Sequence, residues 1–190
     1  MVVAMLIAGD TPDTQGPDAK ITAYFASHSN QVKSMVGVLL FAVGVMFLIV
    51  FFWILRERLG RTGTLAFGAG VASAVLWLIA VVLFNGVAFA TNDTSRFTLD
   101  PDMYRLLDDV GYAFWVSAVM TGAIVVWATS AAAVGTLPRW FTRAGIGVGV
   151  IQLFAVFFFP AFLYAAWLLV ASVLLTRGER LSAAAVPQPA

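Results

Sequence analysis

Five of the ten acidic residues, Asp93, Asp100, Asp102, Asp108 and Asp109, fall within residues 91–109 (TNDTSRFTLDPDMYRLLDD). Carboxylates gathered in one place can hold a hard cation, since Ca²⁺ favours several oxygen ligands at once. Their spacing matches no calcium loop, however, and Asp100-Pro101-Asp102 has a second reading. Asp100 can cap a helix start, proline fits the first turn, and Asp102 favours the positive end of the helix dipole. Asp108 and Asp109 then stand at the edge of an apolar run, where solvated residues collect. No metal or cofactor is expected. Asp100, Asp102, Asp108 and Asp109 remain candidates for contact with an exterior partner.

Other chemistry is soon exhausted. The only histidine, His28, precedes every apolar run, so neither a Ser/His/Asp set nor a bis-histidine haem site can be assembled. It reads as an interfacial residue. Cysteine is absent, which removes disulfides, thiolate metal sites and thiol redox chemistry. Asn92-Asp93-Thr94 matches a glycosylation sequon, meaningful only in a eukaryotic secretory setting. Within the apolar runs no Asp, Glu, Lys, Arg or His occurs, which argues against proton or ion coupling. The intramembrane polar candidates are Asn85 and Gln152, each expected to bond a neighbouring helix. Lining a pore, together with Ser73 and Thr121, is the alternative. Gly70 and Ala74, and Gly145 and Gly149, are small-xxx-small pairs suited to close helix contact in lipid.

The elements that position these residues follow from composition. Of 190 residues 61% are hydrophobic and 11% charged, against roughly 45–50% and about 25% in average soluble domains. So few charges cannot cover so large a core, and lipid must be part of the solvent. A net charge of +1 without a basic block gives no nucleic-acid surface.

The fold expected is all-α: a polytopic membrane protein with four transmembrane helices as two hairpins and a short N-terminal amphipathic helix. Residues 1–17 are expected to be flexible and lack a signal peptide's basic start. Residues 18–34 place Ile21, Tyr24, Phe25, His28 and Val32 on one face of an interfacial helix. The transmembrane domain, 35–175, contains spans at 35–55, 64–90, 111–134 and 145–175. The first, at about 1.5 Å per residue, matches a hydrocarbon core of roughly 30 Å. The last is overlong, and Pro160 near its middle suggests one kinked helix. Residues 176–190 read as a disordered tail.

Turns 56–61 (RERLGR) and 135–144 (GTLPRWFTRA) carry Arg56, Arg58, Arg61, Arg139 and Arg143. Lys20, Lys33, Arg96, Arg105, Arg177 and Arg180 fall on the other side of a four-span chain. The density of arginine in the short turns favours turns inside and both termini outside.

Three short stretches, DAKITAYF at 18–25, LRERLG at 55–60 and LPRWFTRAG at 137–145, resemble a family of small bacterial, actinobacterial-type integral membrane proteins. The resemblance covers most of residues 18–180. It implies a multi-helix membrane fold without an assigned activity, and carries over no functional residue.

Three functions stay open. The first is a structural or interaction subunit of the cell membrane, not an enzyme, in contact with lipid and with its own copies or another membrane protein. The second is an oligomeric permeation module for a neutral or lipid-like molecule. The third is an exterior-facing enzyme or metal-binding protein using residues 91–109.

Overall fold

The computed structural model describes residues 11–92, 97–132 and 138–184, with side-chain surroundings given as far as Thr176. Every regular element among the described residues is helical. Helix α1 spans Asp18–Ala26, α2 His28–Asn92, α3 Pro101–Ala132, α4 Arg139–Gln152 and α5 Phe159–Ala184, with a 3₁₀ turn at Ala155–Phe157. Three helices are long and apolar enough to cross a membrane: α2, α3 and the Phe159–Thr176 part of α5.

Helix α2 contains 65 residues, about 98 Å if it ran straight, which is some three bilayer cores. It does not run straight. Gly60 has φ 59° and ψ −136°, a conformation essentially closed to residues with a Cβ. Gly63 completes the break, because a Cβ there would lie 2.7 Å from the Arg56 carbonyl oxygen. The expected loop at 56–61 is thus a one-residue interruption between two limbs, 28–59 and 61–92.

The chain divides into two compact units, one formed by Met1–Trp53 with Val71–Ala118, the other by Ile54–Gly70 with Val119–Ala190. In the first unit the limbs of α2 meet. Gln31 Nε2 lies 3.5 Å from the Thr91 carbonyl oxygen, and the Phe41 ring stacks on Trp77 at 6.0 Å. Trp77 stacks in turn on Trp115 of α3 at 4.5 Å. Ser73 Oγ donates to the Ala118 carbonyl at 2.7 Å. A separate cluster buries Ile21, Phe25, Val87, Ala88 and Tyr104.

The interfacial helix expected over 18–34 is therefore two pieces. Ser27 takes an extended conformation, and side-chain amides replace the interrupted ladder: Asn30 Nδ2 donates to Tyr24 O and Gln31 Nε2 to Phe25 O. The break changes the helical phase. Ile21 and Phe25 are buried, whereas His28 and Val32 point outward.

In the second unit, the single kinked helix expected over 145–175 is overturned. Helix α4 ends at Gln152, the chain turns through Ala155–Phe157, and α5 starts at Phe159. Phe158 adopts φ 66°, a left-handed conformation costly for an aromatic residue. The turn closes its own ladder. Backbone N–H groups of Leu153, Phe154, Phe157, Phe158 and Ala161 each donate to the carbonyl three residues earlier. Pro160 lies in the first turn of α5, where its missing N–H costs nothing; it follows the break and does not kink a continuous helix. Helices α4 and α5 pack on one another, with Phe141 stacked on Trp167 at 5.2 Å. Val126, Ala171 and Tyr164 complete that core.

Helix α3 starts at Pro101, where Asp100-Pro101-Asp102 marks a helix start in the sequence, and the second half of 91–109 joins the third span without interruption. One further boundary differs from expectation. Helix α5 continues to Ala184, so most of the expected disordered tail is helical. Residues 1–10 and 185–190, and positions 133–134 of the third span, lie outside the described residues.

Candidate functional site

The start of α3 is built as the sequence suggests. Asp100 Oδ1 accepts the Asp102 N–H at 2.9 Å, satisfying a donor that the helix itself cannot pair. Asp102 also accepts from Arg105 at 2.8 Å. Asp108 is half-buried, and burial, reinforced by the neighbouring Asp109 charge, pushes its carboxyl above the usual aspartate range. Asp109 is exposed. Among the described residues no three His, Asp or Glu side chains are placed to hold a metal ion. Asp93 and the Asp93-Thr94 part of the sequon lie outside the described residues.

What α3 does grip is the chain's own beginning. Arg105 Nε donates to Thr14 O at 2.8 Å, and its Nη2 to Gly16 O at 3.1 Å and Asp18 Oδ1 at 2.7 Å. Beside it, Tyr104 donates its hydroxyl to Pro12 O at 2.8 Å. Burial, helped by the nearby Asp108 charge, pushes the Tyr104 phenol up to about 12. Residues 12–17, expected to be flexible, and the first residue of α1, Asp18, are thereby tied to α3. The carboxylates of this clasp are 69% and 87% exposed, so solvent screens the ion pairs. The buried phenol and the contacts to backbone carbonyls give the clasp its specificity. Local patterning carries little warning of it, because the partners stand some ninety residues apart.

Next to the clasp, Thr22, Phe25, Ala26, Gln31, Thr91, Phe97 and Leu99 line an open cleft of about 210 Å³. Its polar groups are already engaged. Thr22 Oγ1 donates to Asp18 O, Thr91 Oγ1 to Val87 O, and Gln31 to Phe25 O.

The second unit places the other candidates. Gly145 and Gly149 lie on a buried face of α4. A Cβ at Gly145 would overlap Ser130 Oγ and approach Trp167 Nε1 to 3.2 Å; one at Gly149 would overlap the Trp127 indole. Trp127 Nε1 donates to Ile146 O at 3.3 Å. Gln152, on the same face, is fully buried, yet neither its Oε1 nor its Nε2 has a hydrogen-bond partner. Ser130 Oγ, Thr129 Oγ1 and Trp167 Nε1 are likewise buried and unpartnered.

The remaining candidates are employed within their own helices or in helix packing. Asn85 is half-buried and donates to Val81 O of its own helix at 2.8 Å, not to a neighbour. Ser73 is used in helix packing, and Gly70 and Ala74 are both buried. Of the four residues expected on a common path, Ser73 and Asn85 belong to the first unit, Thr121 and Gln152 to the second. Ser130 and Trp167, which sequence reading passed over, are the additions. A serine and a tryptophan in apolar helices carry no visible mark of being left unpaired.

No protein-family model, curated protein or solved structure matches the chain.

Proposed function

We propose that this protein is a structural or interaction subunit of a cell membrane, crossing the bilayer three times and closing with a helical hairpin that enters and leaves by one face. The observation that carries the membrane part is the outward apolar surface: Leu39, Met46, Phe47, Leu169 and Phe162 are each more than 60% exposed. On the limbs of α2 and on α3, hydroxyls and the Asn85 amide are turned back onto helix carbonyls, as packing in lipid requires. The apolar runs of these helices carry no charge for coupling.

The hairpin reading rests on length and contact. Helix α4 has 14 residues, about 21 Å, too short for a core of roughly 30 Å. Its first turn meets the middle of α5 through Phe141 and Trp167. The exposed turn, with Phe154, Phe157 and Phe158, has the self-closed N–H pattern that a lipid setting demands. The limbs of α2 form the first pair of spans, reversing at Gly60, and α3 forms the third.

This topology changes the charge count. Arg177 and Arg180 move to the side of Arg56, Arg58, Arg61, Arg139 and Arg143, leaving Lys20, Lys33, Arg96 and Arg105 opposite. Seven against four replaces the five against six of a four-span chain. By the positive-inside rule the Gly60 turn and the carboxyl terminus face the cytoplasm, and the amino terminus faces out. Single cysteines in this cysteine-free chain test it. Ser29→Cys should react with an impermeant maleimide on intact cells, and Ser182→Cys only after lysis. Labelling of both from outside would restore four crossings. Crosslinking in native membranes tests the interaction role, and recovery of the monomer alone would overturn it.

A second reading, permeation of a small neutral molecule, is favoured by one observation: the unpartnered Gln152 amide beside the glycine face of α4. Its test is the substitution Gln152→Leu.

A further inference from the structure

We infer that the arginines at the Gly60 turn and at the start of α4 bind the phosphate of an anionic phospholipid; this rests on the membrane reading above. Two elements bring them to one edge. Arg58 Nη1 donates to the Leu175 carbonyl at 3.3 Å, fixing the turn beside Leu175 of α5. Phe141, between Arg139 and Arg143, packs in the cluster formed by Trp167 and Ala171, against which Leu174 rests. The start of α4 therefore packs on the stretch of α5 that leads up to Leu175.

Charge on this edge is placed where helix physics disfavours it. The positive end of a helix dipole prefers anions, yet Arg139 opens α4 and Arg143 follows one turn later. Two cations at i and i+4 repel each other. Pro138 supplies no side-chain cap, and the first-turn N–H groups of a helix lack acceptors within the helix itself. Arg61, Arg139 and Arg143 are exposed, and no carboxylate pairs with them among the described residues. An anion would meet all of these needs together, and the guanidinium fork is suited to phosphate.

The surroundings select a lipid over a soluble anion. Trp140, 59% exposed, stands between the arginines as a headgroup-level aromatic does. Beyond it, Ile146 and Leu169 offer apolar surface to acyl chains. Arg56, whose guanidinium lies 5.8 Å from the centroid of the Phe67 ring, adds to the positive field.

The test is thermal unfolding and lipid retention in nanodiscs of phosphatidylcholine, alone or doped with phosphatidylglycerol. Doping should raise the midpoint of the wild type, and phosphatidylglycerol should stay bound after exchange into detergent. Each arginine removed should weaken retention by about five-fold. The Arg139→Gln/Arg143→Gln double variant should lose the preference, while Lys20→Gln/Lys33→Gln keeps it. If the first double variant fails to fold in pure phosphatidylcholine, Arg58→Gln/Arg61→Gln carries the same test from the other element. An unchanged preference in the arginine variants, an equal loss in the lysine variants, or full replacement by free inorganic phosphate would each overturn the site. Failure of the wild type to enter phosphatidylcholine bilayers would instead overturn the membrane reading itself.

Discussion

The two compact units differ in the contacts that set each apart. In the first, directional polar contacts close the structure: Arg105 and Tyr104 reach the carbonyls of Pro12, Thr14 and Gly16, and side-chain amides bridge the break at Ser27. In the second, rings are laid on glycines, Tyr164 against Gly122 and Trp127 against Gly149, and on one another, Phe141 on Trp167. There, several buried polar atoms go without partners. A polar clasp tolerates adjustment, because exposed ion pairs can exchange one partner for water. A ring on a glycine cannot, since no space exists for even one added methyl. The second unit should therefore be fragile to added volume and the first to lost hydrogen bonds.

The sharpest way to break this contrast is to fill the glycine face. Gly149→Leu would drive a side chain into the Trp127 indole, and overpacking of that kind costs about 3 kcal/mol or more when rings cannot withdraw. Thermal unfolding in detergent should show a large drop. A midpoint within a degree or two of wild type would mean that α4 and α3 are not in contact there.

The next effect has the opposite sign. Gln152→Leu replaces a buried amide without partners by an apolar side chain of similar size. Removing such an unmet group should stabilise the protein by about 1–3 kcal/mol. Destabilisation instead would mean that water or a small permeant satisfies the amide in the membrane. That outcome would favour the permeation reading and recast the second unit as a binding site.

How far these features could be read from sequence follows the same division. Apolar runs, the arginine-bearing turn and the Asp100-Pro101-Asp102 helix start depend on neighbours a few residues apart, and local chemistry sufficed. The break at Ser27 carries neither glycine nor proline and is supported by amides of Asn30 and Gln31, so periodicity ran through it. The turn after Gln152 was hidden by six apolar residues, with an aromatic residue in the left-handed region where glycine would have signalled it. Pro160 drew attention to the right neighbourhood for the wrong reason. The clasp on residues 12–18 required a fold before its partners could meet.

The first unit offers a milder test. Tyr104→Phe removes the hydrogen bond to Pro12 and should cost about 1 kcal/mol, with faster proteolysis of residues 11–17. The phenol also sets a pH dependence. Its proton is held more tightly in the folded chain than in the unfolded one, so its contribution is complete below pH 10 and is lost as pH rises through about 12. Alkaline destabilisation in that window should flatten in Tyr104→Phe. An identical slope in both proteins would show that the clasp does not bury the phenol.

The smallest effect bears on what covers the membrane face of α4. Gly147 has nothing within 4 Å of where a Cβ would stand, unlike Gly145 and Gly149 on the packed side. Glycine inside a helix costs about 0.8–1 kcal/mol relative to alanine. In an isolated protomer facing lipid, Gly147→Ala should therefore raise the unfolding midpoint slightly. If a partner helix approaches closely on this side, the added methyl should instead lower recovery of the crosslinked species while leaving the protomer's own unfolding unharmed. The same glycine thus separates two kinds of neighbour: lipid tails, which yield to a methyl group, and a second backbone, which does not.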